Sequence, residues 1–452
     1  MSSSSTLSSI PGALPDAWPA PRLSVRTACI ASALAIACWV ALAAWTNHSQ
    51  LQDSLEQFVW GQSLQWGYWK HPPLTSWLMW AGLQVFGPVP WVTYVLGGLL
   101  TGLTILFTTR LAHLLAGERV AVLTALLLAL HYGFTRRAQM FNHNTVLVAC
   151  MAMAAVATFH AMRRNRRRDW VLVGLASGLA LLAKYQAAVP LAGLVLAVVL
   201  VGEGRRCLPG ILLASACAAL VVLPHGLWAL QHDLQTVTYA MASLEAGAGH
   251  QPHPLRLVPV LAMQAKYFLT IGAFAALLWA VTRWRGRSPV ALPAPLTALQ
   301  RRWFAGLVLL PMAVLLGAAA ARVQVQSHWG FQASQFLVVP IAILLHRRFG
   351  AWDRRHTAAW LAMQAVAMGV FVAEAATAPR AGDRPGVWQL PAADVAREVD
   401  AHWRAFSGCE LHYLRGPVAL AGMVSAYGGH RLLVMEDGDP AKSPWIDVPT
   451  MR

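Results

Sequence analysis

Charged side chains are scarce in this sequence of 452 residues, and acidic ones are the scarcest. Charged residues make up 12% of the chain, whereas hydrophobic residues make up 57%. A soluble domain carries about 25% charged residues, so this composition excludes a soluble globular protein. A disordered chain is excluded as well, because disorder requires low hydrophobicity. We expect one large membrane domain with a smaller part beside it.

Cysteine patterns are lacking too. The chain has six cysteines, but it has no Cys-x-x-Cys pair and no Cys/His spacing typical of a zinc site. This arrangement excludes a disulfide framework and a structural zinc site of the usual kind.

Basic residues are abundant and give the chain a formal net charge of +16. On a soluble protein this charge would suggest a nucleic-acid partner, but here the basic residues lie in short clusters between apolar runs. If the N-terminus is cytoplasmic, the cytoplasmic segments hold 20 basic residues and the opposite loops hold six. Such an asymmetry is typical of membrane topology. We therefore expect a multi-pass membrane protein with a cytoplasmic N-terminus and no nucleic acid as partner.

Eleven apolar segments predict an all-α polytopic membrane protein. The first follows Arg22 and Arg26 and is typical of a signal-anchor helix. Several others are shorter than the roughly 20 residues that a crossing prefers, so we expect ten to thirteen spans. The shorter stretch 72–87 indicates an interfacial or re-entrant helix. The eleven segments are 27–46, 91–111, 119–136, 144–161, 170–184, 187–202, 208–226, 257–282, 303–321, 331–346 and 357–378.

Composition divides the chain into three parts. Residues 1–21 are rich in Ser, Pro and Ala and are predicted to be disordered, and residues 22–378 form the transmembrane domain. Residues 379–452 hold nine of the 19 acidic residues and predict a small α/β domain on the outer, non-cytoplasmic side. Its predicted elements are helices at 392–406 and 417–427 and strands at 410–414 and 431–435.

Few carboxylates are available on the predicted outer face, and two of them, Asp53 and Glu56, share its first loop. The pattern Asp-x-x-Glu before an apolar stretch is typical of a capping box, with Asp53 as the N-cap. The same pattern could present a carboxylate to a reaction site. The two interpretations are compatible, because a capped helix can also carry a catalytic side chain.

The residues after this pair form a more specific pattern. They read Gln57-x-x-Trp60-x-Gln62 and then Gly67-Tyr68-x-x-His71-Pro72-Pro73-Leu74-x-x-Trp77. This series resembles the first outer loop of bacterial family 39 glycosyltransferases, which have the GT-C fold and are related to protein O-mannosyltransferases and aminoarabinose lipid A transferases. Three later stretches are also similar to those enzymes: 137–145, the Gly-rich 174–185 and 327–329.

The resemblance implies a glycosyltransferase that moves a hexosyl or pentosyl group from a polyprenyl-phosphate donor to an acceptor hydroxyl on the periplasmic face. Asp53 would act as the general base, and Glu56 would orient Asp53 or the acceptor. A direct displacement would invert the anomeric centre. The acceptor stays open between lipid A, another glycolipid, a polysaccharide and a protein. No cofactor is implied, and a divalent metal ion is left open.

Cations would hold the departing phosphate, and polar residues of the second loop would complete the site. The candidate donor-binding residues are Lys70, His71, Arg137, Lys184 and Arg322, and the candidate acceptor or second-loop residues are Asn142, Asn144 and His328.

Each of these residues also has a purely structural interpretation. The lysines could snorkel to the interface, the arginines could bind anionic headgroups, and Asn142 and Asn144 could cap the following helix. Lys266, inside a predicted span, has no assigned role.

Two other functions remain open. A polytopic transporter or lipid flippase would usually show repeats or polar residues at the midplane, whereas the polar residues here gather in outer loops. An inactive scaffold is a third hypothesis, because many relatives carry a second acid where this chain has Asn142 and Asn144.

Overall fold

The computed structural model describes residues 23–245, 257–284, 295–321, 323, 325–350, 352–377 and 386–446. The predicted disordered segment 1–21 lies outside these residues. The first half of the chain forms α1 (Val25–Thr46), α2 (Gln52–Trp60), α3 (Leu74–Phe86), α4 (Val92–Ala116), α5 (Glu118–Leu128), α6 (His143–Arg164), α7 (Arg167–Ala183), α8 (Ala188–Val201), α9 (Gly204–Gln231) and α10 (Gln235–Glu245). The second half forms α11 (Leu257–Tyr267), α12 (Leu269–Trp284), α13 (Ala298–Phe304), α14 (Leu310–Ala320), α15 (Phe331–Phe349), α16 (Arg354–Ala376), α17 (Ala392–Ser407), β1 (Tyr413–Gly416), α18 (Val418–Tyr427) and β2 (Leu433–Glu436).

The predicted all-α membrane architecture is confirmed. Within the described ranges, seven helical segments are long and apolar enough to cross a bilayer, and the bent pair α11 and α12 would make an eighth. Each of the eleven predicted segments contains a helix, but α5, α7 and α8 have only 11, 17 and 14 residues. The stretch after Pro73 forms α3, as predicted. The seven segments are Val25–Thr46, Val92–Ala116, His143–Arg164, Gly204–Gln231, Ala298–Ala320, His328–Phe349 and Arg354–Ala376.

The third predicted segment, 119–136, is helical only as far as Leu128. Beyond that point the chain turns, and the backbone N–H of Gly133 donates a hydrogen bond to Nδ1 of His131. The ring of Phe331 fills the space that a Cβ at position 133 would occupy, at 2.1 Å. Aromatic packing around this glycine therefore replaces the last turns of the predicted helix and shapes the second outer loop.

Small residues allow the helices to approach closely. Gly174 and Gly178, four residues apart on α7, face α9, where an added Cβ at Gly174 would lie 2.6 Å from the Ala214 carbonyl oxygen. This spacing is the small-xxx-small pattern of membrane helix pairs. The Gly-rich stretch before Lys184 thus lets α7 pack closely on α9.

The C-terminal part contains a two-stranded parallel sheet, in which Tyr413 of β1 pairs with Leu433 of β2. Helix α18 connects the strands and packs on α2, with the space above Gly422 closed by Leu55 and Val59 at 3.3 Å. The predicted helices and strands are present, and the observed strands β1 and β2 end two residues and one residue later than predicted. The C-terminal residues consequently lie directly on the first outer loop.

Candidate active site

Helix α2 carries the two carboxylates of the first outer loop. The helix begins after Leu51, and no side chain caps it. The predicted capping box is therefore wrong, because Asp53 lies inside the first turn. Its Oδ2 instead accepts a hydrogen bond from Nδ2 of Asn142 at 2.9 Å. Asp53 is exposed, whereas Glu56 is buried.

Asn142 has two roles at once. Its Oδ1 accepts hydrogen bonds from the backbone N–H groups of Asn144, at 3.0 Å, and Thr145, at 3.1 Å, so it caps α6 as predicted. Because the side-chain oxygen is used in this way, the amide nitrogen must point outward, and it donates to Asp53. The cap thus orients the carboxylate of a different loop.

Lys184 completes this chain of contacts. It lies in the turn between α7 and α8, and its Nζ donates to Oδ1 of Asn144 at 3.0 Å. No carboxylate of the described residues lies within ion-pair distance of its amine. Burial lowers the pKa of Lys184 to about 8, while the negative charge of Asp53 acts in the opposite direction. The lysine is a partly buried cation that shares a neutral amide network with Asp53.

Arg137 and His328 face the same space. Arg137 lines a small cleft together with Asn142 and Asn144. His328 lies in the turn before α15 and interacts electrostatically with Lys184, Arg137 and Asp53. The next ring, Trp329, lies 5.6 Å from Nζ of Lys184. We name these six residues, Asp53, Arg137, Asn142, Asn144, Lys184 and His328, the Asp53 cluster. Arg322 lies outside the described residues.

Glu56 and Lys70 form a second cluster. The two side chains make an ion pair, and Nζ of Lys70 also lies 3.8 Å from Oε1 of Glu436. Burial raises the pKa of Glu56 to about 7; Lys70 opposes this rise, and the charge of Glu436 adds to it. Lys70 is therefore engaged by two carboxylates, in contrast to Lys184.

A pair of histidines lies between the clusters. The rings of His71 and His143 are 3.9 Å apart. Burial, followed by the charges of His143, Lys184 and Lys70, lowers the pKa of His71 well below its usual value. Gln57 donates a hydrogen bond to Nε2 of His143 at 2.9 Å and accepts one from the Ser76 hydroxyl. His143 is thus held in a fixed orientation, and His71 packs on it as a neutral ring.

Two residues of the site, His143 and Glu436, were missed in the sequence analysis. His143 stands between Asn142 and Asn144, so its position in the second-loop motif was a usable signal. Glu436 is one of nine acids near the C-terminus and carries no local signal. In the described part of the chain, no three His, Cys, Asp or Glu side chains converge on one point that could hold a metal ion.

Known structures share the fold. The chain superimposes on ArnT from Cupriavidus metallidurans bound to undecaprenyl phosphate with a TM-score of 0.61 at 15% identity, over 92% of this chain and 86% of that chain. The apo form of that protein superimposes with a TM-score of 0.59 at 16% identity, over 94% of this chain and 88% of that chain. This likeness shows the ArnT-like GT-C fold.

Sequence comparison gives the relationship. Residues 70–228 match the family described as dolichyl-phosphate-mannose-protein mannosyltransferase. In these residues and in its fold, the chain is similar to GT-C glycosyltransferases. It is 29% identical over 241 residues to lipid A galacturonosyltransferase RgtD of Rhizobium johnstonii, and 30% identical over 241 residues to lipopolysaccharide core galacturonosyltransferase RgtA of the same organism. These matches cover 52% and 51% of this chain and 50% and 46% of the relatives.

The chain thus spans about half the length of the curated relatives it matches. The resemblance predicted from the loop motifs is confirmed.

Proposed function

We propose that the protein is a membrane glycosyltransferase that moves a sugar from a polyprenyl-phosphate donor to an acceptor hydroxyl on the periplasmic face of the bacterial inner membrane. The observation that carries this proposal is the connected path from Asp53 through Asn142 and Asn144 to Lys184. It joins an exposed carboxylate to a partly buried cation. Sugar transfer from a phosphate needs these two functions, a base and a positive charge.

The reaction is a single displacement. The acceptor oxygen forms a bond to the anomeric carbon while the bond from that carbon to the phosphate oxygen breaks, and the electron pair leaves with the phosphate. Asp53 takes the proton of the acceptor hydroxyl, and Asn142 holds the carboxylate in place. The attack comes from the side opposite the phosphate and therefore inverts the anomeric centre.

Lys184 and Arg137 are the cations that fit the departing phosphate. Lys184 is close to Asp53 and bonded only to an amide among the described residues, so its charge is available to a ligand. Lys70 already neutralises Glu56, and neutral His71 can offer only a hydrogen bond. Asn142, Asn144 and His328 form the second-loop side of the site. Arg322 is kept as a further candidate from the sequence.

An apolar cavity of about 530 Å³ lies beside α7, with Trp170, Val173 and Leu181 among the residues that line it. Leu181 is one helical turn before Lys184. A polyprenyl tail bound in this cavity would bring its phosphate towards the lysine, and burial of its apolar surface would supply binding energy.

The acceptor we propose is a glycolipid of the lipid A or lipopolysaccharide core type. Two relatives are named for transfer to these molecules, and both are galacturonosyltransferases. A polyprenyl-phosphate galacturonosyl donor is therefore the first to test.

The test is the Asp53→Asn variant. The introduced amide would keep an oxygen for the Asn142 side chain but would lose the ability to take a proton, so we expect transfer to fall by roughly 10²- to 10⁴-fold while the melting temperature stays unchanged. Transfer to lipid A is measured with purified protein. Asp233→Asn, at an exposed residue in the left-handed region that asparagine also adopts, is the matched control.

A fully active Asp53→Asn variant would disprove the role of Asp53 as the base. A wild type that transfers no sugar from any polyprenyl-phosphate donor, yet moves a solute across vesicles, would replace the proposal with the transporter alternative.

A further inference from the structure

Glu436 is a buried carboxylate that the proposed reaction leaves without a role. It ends β2 in the C-terminal part of the chain, and it is 1% exposed. Its Oε2 accepts hydrogen bonds from the indole N–H groups of Trp60, at 3.1 Å, and Trp69, at 2.9 Å. Its Oε1 lies 3.8 Å from Nζ of Lys70. All three partners belong to the first outer loop.

The loop residues held by Glu436 lead directly to the Asp53 cluster. Trp60 is the last residue of α2, the helix that carries Asp53 and Glu56. Lys70 pairs with Glu56 and precedes His71, which packs on His143. Both ends of the first-loop segment between α2 and α3 are therefore attached to one carboxylate from the far end of the chain.

The partners of Glu436 explain why a carboxylate can be buried at this position. Burying a charge is costly unless it is paired and hydrogen-bonded, and Glu436 has two N–H donors and one ammonium group. The backbone N–H of Glu436 also donates to the Ser443 hydroxyl, which fixes the end of β2. Removal of the side chain would leave two indoles and a lysine without their partner.

We propose that Glu436, which the C-terminal α/β part supplies, is a positioning residue of the active site. It holds Lys70 and the indoles of Trp60 and Trp69 so that α2 presents Asp53 to the second loop. This inference rests on the proposed function. It assigns to the C-terminal part a direct share in the geometry of the site.

The charge of Glu436 also acts on its neighbours. Glu56 faces Lys70, Glu436 and Asp53, and Lys70 faces the two glutamates and Tyr239. The nearby rings of His71 and His143 pack on each other and carry no negative charge. Replacement of Glu436 by Gln removes one negative charge and keeps an oxygen for the indoles, so the pKa of Glu56 should fall.

The experiment compares Glu436→Gln with Glu398→Gln, a neutral control at an exposed residue of α17. Sugar transfer is measured between pH 5 and 9 with the full-length protein. We expect Glu436→Gln to lower kcat about tenfold or more. The acidic limb, where protonation of Glu56 breaks its ion pair with Lys70, should move to lower pH. Glu398→Gln should match the wild type in both.

A second measurement does not depend on transfer. The chain has only four lysines, so acylation of each amine by a water-soluble reagent can be followed by mass spectrometry. We expect Lys70 to react several-fold faster in Glu436→Gln, because it loses one of its two carboxylates, whereas the rates at Lys184 and Lys266 stay unchanged.

The outcomes separate the two proposals. Unchanged Lys70 reactivity, or a reduced rate with an unshifted pH profile, would overturn the positioning role and leave the transferase proposal standing. A wild type without transferase activity would end the proposed function, while faster acylation of Lys70 in the variant would still support the contact from Glu436 to the first loop.

Discussion

Lys184 and Lys70 bring the same charge to one region but meet opposite surroundings. Lys70 lies between two carboxylates, which outweigh the effect of burial and raise its pKa. Lys184 is partly buried against an amide, and this burial lowers its pKa to about 8. A cation that is poorly compensated gains most from an incoming phosphate. Because of this difference in surroundings, we infer that Lys184 binds the donor phosphate and that Lys70 forms a structural ion pair.

The pKa of Lys184 leads to a prediction for the alkaline side of the pH profile. The lysine is charged below a pH of about 8 and loses its proton above it, so we expect the rate of transfer to fall as the pH rises through about 8. Lys184→Arg keeps the charge to much higher pH and should abolish this limb while retaining part of the activity. Lys184→Met should lose roughly 10²- to 10³-fold in kcat.

The control for this series is Lys266→Arg, since Lys266 contacts the ring of Tyr132 at 4.7 Å and has no place in the proposed reaction. Its pH profile should equal that of the wild type. An alkaline limb that stays at the same pH in Lys184→Arg would show that another group titrates there.

The residues of the Asp53 cluster could be named from the sequence because they sit in loop motifs. Their contacts could not be predicted from the sequence. The hydrogen bond between Asp53 and Asn142 depends on where α2 begins, and the local capping pattern predicted a different first residue for that helix. Glu436 lies 376 positions from Trp60. No periodicity or local motif signals a contact over that distance.

At the scale of helices, close packing depends on single glycines. Gly306, in the π-helical turn Ala305–Leu309, faces Gly193 of α8, and a Cβ at position 306 would lie 2.2 Å from the Gly193 carbonyl oxygen. Because the obstacle is backbone, the helices must separate to admit a methyl group. Hydropathy predicted both helices but not this crossing, because composition does not fix which faces meet.

Gly306→Ala should therefore destabilise the protein by about 1–3 kcal/mol. Gly317→Ala is the matched control on α14, where an added Cβ has no atom within 4 Å, and it should leave stability equal or slightly higher because alanine favours helices. Thermal unfolding in detergent measures both. Equal melting temperatures for the two variants would show that the α8 contact contributes nothing to stability.

At the scale of the whole molecule, loops predicted on one side of the membrane meet at one end. The first and second outer loops, the turn at Lys184 and the turn at His328 all contribute to the Asp53 cluster, and the C-terminal strand joins them through Glu436. The distribution of basic residues predicted this grouping, since charge sets which loops cross the bilayer. The number of full crossings was harder to predict, because the lengths of α5, α7 and α8 depend on tertiary packing rather than on hydropathy.

A natural cysteine can show on which side of the membrane this end of the molecule lies. Cys409 is exposed in the C-terminal part, whereas Cys29, Cys38, Cys150, Cys207 and Cys217 lie in helices α1, α6 and α9. If the C-terminal part is periplasmic, a membrane-impermeant maleimide should label Cys409 in intact spheroplasts, and Cys409→Ser should remove the label. In that background, Arg205→Cys, at an exposed residue of the opposite end, should be labelled only after permeabilisation. The reverse pattern would place Asp53, Lys184 and Glu436 in the cytoplasm, away from any periplasmic acceptor, because these residues share one end with Cys409.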